Sequence, residues 1–265
     1  MVLITDTIKQ IFVLGRFTIL EVVRERFALI LLLLVVVMSV LSLLAGSLSM
    51  GEERRIMVDS GLALSNLVSR VLAILLTVAI LCSELRRDSV QVLLLRSPPR
   101  WAYVLGRFLG IWCAVGIAML MMISVTVVAI ELLGESVPRA FWSCVWLNIV
   151  EIAVVVAIVL FFSVQLPKII AGMSSAVIVF AGSFVDDFQN LANRAAQNGE
   201  VLYSYVGNLI YFGLPDLMAL SLRHQVATAV DVSAQQVVDA TLYGLSYAVT
   251  ALVASMWIFS SRKSI

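Results

Sequence analysis

The chain has 265 residues, of which 62% are hydrophobic and 13% charged, and its net charge is +1. A mean hydropathy of +1.05 excludes an ordinary soluble domain, because too little polar surface remains to cover one, and places the chain among integral membrane proteins. The net charge by itself says nothing about a nucleic-acid partner; the basic residues are confined to particular loops and do not form a solvated basic domain of the kind that binds nucleic acid.

Residues 1–26 come first. Ile4, Ile8, Ile11, Phe12, Gly15, Ile19 and Val22 recur at three- and four-residue spacing, with Lys9, Arg16, Asp6, Arg24 and Glu21 mostly opposite. This pattern predicts an amphipathic helix lying along the cytoplasmic membrane surface, its arginines near anionic headgroups. Leu14 and Phe17 fall outside the pattern.

A membrane core of ~30 Å needs about 20 apolar residues to cross it. Phe27 to Met50, Phe108 to Ile130 and Ala240 to Ser261 qualify without a single charge. Gly61 to Ser83 and Ala140 to Pro167 qualify with one charge each, Arg70 and Glu151, and Ile169 to Val185 is slightly short. The expected fold is therefore an all-α integral membrane protein with six transmembrane helices over residues 27–265, preceded by the interfacial helix. The first apolar run is too long for the h-region of a signal peptide, so internal helices are expected to do the targeting. Between helices five and six, residues 186–239 combine polar turns with aromatic apolar pieces, which suggests extracytoplasmic amphipathic helices. The charge-free stretch Val201 to Pro215, cut by Gly207 and Gly213, reads as an interfacial or re-entrant helix.

Orientation follows from where Lys and Arg lie. Residues 1–26, 84–107, 166–168 and 262–265 share one side and hold twelve of the eighteen basic residues, against five on the other side. Both termini are expected in the cytoplasm of a multi-pass protein of the cell's inner (cytoplasmic) membrane.

The cytoplasmic loop 84–107 opens with Glu84 and the pair Arg86 and Arg87. Asp88 or Ser89 can cap a helix there, and Val90 to Arg96 supply two turns before Ser97-Pro98-Pro99 ends it. The product is a short helix with an apolar ridge of Val90, Leu93 and Leu94 between charges, suited to docking in a partner's groove. Positive-inside charge alone would account for the arginines, but not for the cap or the double proline.

At these residues the sequence resembles the six-span permease subunits of type-2 ABC exporters. The likeness runs from Glu84 and its basic pair through the leucine run and the proline turn to Arg100-Trp101, and on to Gly106-Arg107-Phe108. It continues in Tyr211 to Gln225 (YFGLPDLMALSLRHQ) and in a last helix closing on Arg262-Lys263. The resemblance implies that Asp88 to Arg96 is a coupling helix, with Glu84, Arg86, Arg87, Asp88, Val90, Leu93, Leu94, Arg96 and Arg100 meeting a separate ABC ATPase subunit present in two copies. It also implies a second permease chain, identical or related. Tyr211, Pro215, Asp216 and Arg223 become candidates for an extracytoplasmic gate. ATP and Mg would belong to the ATPase, since this chain has no GxxxxGK[ST] loop and is expected to be neither an enzyme nor a cofactor carrier. The lipid bilayer is the remaining partner, together with any periplasmic accessory protein.

Other functions leave different marks. A secondary transporter or channel would show inverted repeats, broken helices or several intramembrane charges on one path. A non-transporting scaffold of a secretion or maturation machine shares the topology and stays open as the alternative. An intramembrane enzyme lacks its residues, because the lone His224 adjoins Arg223 with no nucleophile and acid set around it. Cys82, Cys113 and Cys144 have neither CxxC spacing nor a histidine neighbour, and read as lipid-facing or packed thiols with no metal site. Arg70 and Glu151 lie at similar depth, counted from the cytoplasmic ends of their helices. They either pair across helices two and four or reach water separately in a cavity.

Overall fold

The computed structural model describes residues 2–24, 33, 36–37, 40, 53–86, 100–132, 134, 136–185, 188, 214–221 and 233–261. Six helices are delimited among the described residues: α1 (Val2–Arg24), α2 (Glu53–Arg86), α3 (Arg100–Leu132), α4 (Arg139–Gln165), α5 (Lys168–Gly182) and α6 (Ala234–Ser261). No strand occurs among the described residues. Continuous helix is what a bilayer demands, since backbone N–H and C=O groups find no partner in hydrocarbon except one another.

Helices α2, α3, α4 and α6 are each long and apolar enough to cross a membrane. At 15 residues, α5 reaches only about 22 Å and falls short of a full crossing. Of the apolar run 27–50, the described residues Leu33, Val36, Val37 and Val40 are helical and exposed; the rest of that run lies outside the described residues.

α4 is the axis of the bundle. Its side chains are buried along almost the whole length from Phe141 to Val164, and α2, α3, α5 and α6 all pack against it. Around it, α3 and α6 turn a large apolar surface outward, including Ile117, Met121 and Val128 on one and Leu242, Val249 and Val253 on the other. In a bilayer that surface faces lipid, so its exposure is the expected inverse of a soluble protein's. Exposed tryptophans mark both ends: Trp101 and Trp257 where α3 begins and α6 ends, Trp142 and Trp146 where α4 begins. They fit the aromatic belts of the two membrane–water interfaces. Buried hydroxyls inside the helices are satisfied locally, Ser69 donating to Ser65 O at 2.6 Å, Thr77 to Ala73 O at 2.6 Å and Ser175 to Ala171 O at 2.6 Å.

Several boundaries differ from the sequence expectation, α2 beginning at Glu53 and α6 at Ala234, ahead of the apolar runs 61–83 and 240–261. α2 runs on to Arg86 and α3 already starts at Arg100, so both ends of the loop 84–107 are helical and only 87–99 joins them. Arg107, counted above as a loop charge, sits in the second turn of α3 with its side chain 2% exposed. It is buried because α1 lies against that part of α3.

The α1–α3 contact is a glycine seam. A Cβ on Gly110 would stand 2.5 Å from Thr18 Cβ and 2.8 Å from Gly15 O, and one on Gly106 would stand 2.7 Å from Leu14 Cβ. Two glycines four residues apart thus let the backbones meet, as small residues do between membrane helices. The packed face of α1 is Leu14, Gly15, Thr18 and Val22, whereas Phe12, Val13, Phe17 and Leu20 are exposed. Leu14, outside the pattern read from sequence, is part of the contact, and Phe12, inside it, is not. Two opposite faces of α1 are apolar, one for α3 and one outward.

Candidate functional site

Five polar side chains from three elements meet inside this apolar bundle. Arg70 on α2 donates from Nε to Glu151 Oε1 on α4, and Asn66, one turn earlier on α2, donates from Nδ2 to Glu151 Oε2 at 2.6 Å. The same amide reaches Asn148 Oδ1 at 3.1 Å, and Arg70 Nη1 donates to Ser183 Oγ at 2.5 Å. Glu151 is 1% exposed and Arg70 11%, so both carboxylate oxygens of a fully buried acid are satisfied by charged or amide donors. α2 and α4 run parallel here, which is why residues at i and i+4 on one helix can serve i and i+3 on the other.

Ser183 brings in the third element. It is the first residue beyond α5, so the cluster stands about 22 Å from the start of that helix. The arginine therefore neutralises Glu151 and at the same time holds a cation against the carbonyl end of α5, where the helix dipole is negative.

The break in α5 is fully accounted for in hydrogen bonds. Val179 O accepts Ser183 Oγ–H at 3.3 Å, Phe180 O accepts Ser183 N–H at 3.0 Å, and Ala181 O accepts Phe184 N–H at 3.0 Å. The fourth carbonyl, Gly182 O, accepts Leu217 N–H at 3.1 Å from the segment 214–221. These are the four carbonyls that every helix end leaves without an internal partner. Gly182 is required there, since a Cβ would lie 2.5 Å from Pro215 O. The segment is wedged in by Leu217 and Leu220, both 0% exposed. Asp216 Oδ1 accepts Met218 N–H at 2.9 Å and Ala219 N–H at 3.0 Å, and Asp216 N–H donates to Tyr243 Oη on α6 at 2.9 Å. Leu220 fits beside Gly244, which leaves room between α6 and Val150 of α4.

Near the start of α3, Arg107 Nη1 donates to Glu21 Oε2 at 2.8 Å and to Thr18 Oγ1 at 2.8 Å, both on α1. Its guanidinium also lies 5.9 Å from the Phe17 ring centre and 5.8 Å from that of Tyr103, within cation–π range.

Of the residues singled out from sequence, Arg70 and Glu151 are brought together directly. Pro215 and Asp216 sit in the wedge over the end of α5, outside any helix. Tyr211 and Arg223 lie outside the described residues. Glu84 and Arg86 close α2 and Arg100 opens α3; Arg87, Asp88, Val90, Leu93, Leu94 and Arg96 lie outside the described residues. Cys113 is exposed on α3 and Cys144 buried in α4. Among the described residues, no three His, Cys, Asp or Glu side chains converge on a point that could hold a metal.

Sequence reasoning missed Asn66, Asn148, Ser183 and the Arg107–Glu21 pair. Asn66 and Asn148 carried a readable signal, one helical turn from Arg70 and Glu151 on the same faces. Ser183 carried none, since nothing local says that α5 stops there. No protein-family model matches the chain, and no curated protein matches it above chance.

Proposed function

We propose that the chain is the membrane-spanning permease subunit of an ATP-driven transporter of the type-2 ABC exporter kind. In this assignment it moves a substrate with energy delivered by a separate ATPase, and both of its termini are cytoplasmic. The observation that carries the proposal is the length of the α2–α3 hairpin. At 34 and 33 residues, each helix measures about 50 Å, well beyond the ~30 Å of a membrane core. Both run without a break into the ends of the basic loop, so a push on residues 87–99 is transmitted along two rigid rods into the bundle. Arg70, on one of those rods, grips Glu151 and Ser183. That grip gives motion of α2 a direct mechanical connection to the wedge 214–221, the candidate gate. The conformational cycle expected is alternating access driven by closure of the ATPase pair on the cytoplasmic side.

The test is at the loop. Leu93→Asp or Leu94→Asp places a charge on the docking ridge and is expected to abolish co-purification with an ATPase subunit or its substrate-coupled hydrolysis, while the protein remains folded in the membrane. Unaltered association and coupling in both variants would refute the assignment. Hydrolysis that is coupled to assembly but indifferent to any cargo in sealed vesicles would point to the scaffold instead.

Topology is checked separately. Single cysteines at Asn193, Gln197 and Asn198, in a background without the three native ones, are expected to react with an impermeant maleimide added outside intact cells. Reaction only after permeabilisation would invert the orientation.

A further inference from the structure

Between α2 and α5 lies an open cleft of ≈ 530 Å³ whose walls include Leu72, Leu75, Gly172, Met173 and Phe180, with Lys168 at its mouth. Its volume is in the ~300–1,000 Å³ range of ligand sites. Three features give it a chemistry. The walls are hydrocarbon apart from the mouth. The cleft is half a membrane deep: on α5 it runs from Lys168 to Phe180, about 18 Å at one rise per residue. And Lys168 is exposed, with no ion pair or hydrogen bond to its side chain among the described residues.

We infer that this cleft is a binding site for an anionic phospholipid of the leaflet on the Lys168 side, with one acyl chain between α2 and α5 and the phosphate against the Lys168 ammonium. Length favours an acyl chain over a protein occupant, because the lining on α5 extends only from Lys168 to Phe180, about 18 Å, whereas a spanning helix needs ~30 Å. Charge decides for an anionic head over a neutral one. The mouth also holds the first turn of α5, where Pro167 is the N-cap and no side-chain hydrogen bond caps the helix. Its free amides add positive potential beside Lys168. Gly172 opens the wall: a Cβ there would meet only Val78, at 3.8 Å and 3.9 Å, so a larger side chain would grow into the space a chain of methylenes occupies. A second cleft of ≈ 460 Å³, between α4, α5 and α6, has no charged residue in its walls and serves as an internal control for lipid contact without headgroup selection. The inference rests on this geometry alone and is independent of the transporter assignment.

The experiment uses the purified full chain in liposomes containing phosphatidylglycerol or phosphatidylcholine with a diazirine on the acyl chain, followed by peptide mapping. Phosphatidylglycerol is expected to label residues 71–79 or 168–180 in preference to phosphatidylcholine. Lys168→Gln is expected to lower that labelling roughly fivefold, the weight of one basic residue at a membrane surface, and Lys168→Arg to preserve it. Gly172→Phe and, as a milder filling, Ala176→Leu are expected to remove labelling in the cleft while leaving it unchanged in the control cleft. Inorganic phosphate is expected not to compete. Equal labelling by the two lipids, indifference to Lys168→Gln, or full labelling in a folded filled variant would each overturn the site. Competition by inorganic phosphate would overturn it too, by assigning the mouth to free anions.

Discussion

Replacing Arg70 with leucine is expected to cost about 3–5 kcal/mol of stability, because it strands a carboxylate that is buried inside an apolar bundle. Glu151 is 1% exposed, and after the substitution only Asn66 at 2.6 Å would remain to offset its charge. The double variant Arg70→Leu with Glu151→Leu is expected to regain much of the loss. Its remaining polar groups still have partners, Asn66 with Asn148 at 3.1 Å and Ser183 with Val179 O at 3.3 Å, so no unpaired charge is left. Thermal unfolding of the four proteins of the cycle in detergent measures the coupling directly. A double variant as unstable as the sum of the two single losses would rule out the pair as a unit. If the double variant is stable but does not move substrate, the pair acts in the conformational cycle beyond its structural role.

The second large effect is at the glycine seam. Gly110→Val is expected to lift α1 from α3, since its Cβ would lie 2.5 Å from Thr18 Cβ and 2.8 Å from a backbone oxygen, Gly15 O. Backbone cannot yield by a rotamer change, so the helices must separate. Overpacking of this kind costs about 1–3 kcal/mol. The separation also takes Thr18 and Glu21 away from Arg107, so the α1–α3 ion pair and hydrogen bond are lost together with the packing. Gly15→Ala is the matched control, because its Cβ meets nothing nearer than Gly106 O at 3.5 Å. Trypsin cleavage after Arg16 in the detergent-solubilised protein should accelerate in Gly110→Val and not in Gly15→Ala. Equal resistance in both would mean that the seam does not hold α1.

Much of the bundle was legible because a bilayer leaves few choices. Charge-free runs near 20 residues had to be helices, and α3 and α6 are helical throughout the runs 108–130 and 240–261. Helix ends were harder. α3 begins eight residues before the predicted span, since the charge of Arg107 cut the charge-free run although Trp101 to Gly106 continue the apolar helix. Arg107 was misplaced for the same reason: its charge reads as loop, while its burial depends on α1, a contact between distant parts of the chain. In the candidate site, the charges Arg70 and Glu151 stood out as rare residues in apolar runs. Ser183 and the 214–221 wedge did not, because a helix break is fixed by what packs over it. Pro215 and Asp216 were picked out by resemblance; their backbone roles at Gly182 and Tyr243 become visible only in three dimensions.

The way the broken end of α5 is sealed sets a condition on any opening there. Three of its last four carbonyls are satisfied within residues 179–184, but Gly182 O depends on Leu217 N–H. Drawing the segment 214–221 away would leave an amide and a carbonyl facing hydrocarbon, at several kcal/mol for each unsatisfied group. The cost disappears only if solvent takes up both groups as they part. Opening at this corner is therefore a wetting transition: the wall can separate only as fast as water enters behind it, and while the gap stays dry the hydrocarbon itself holds it shut.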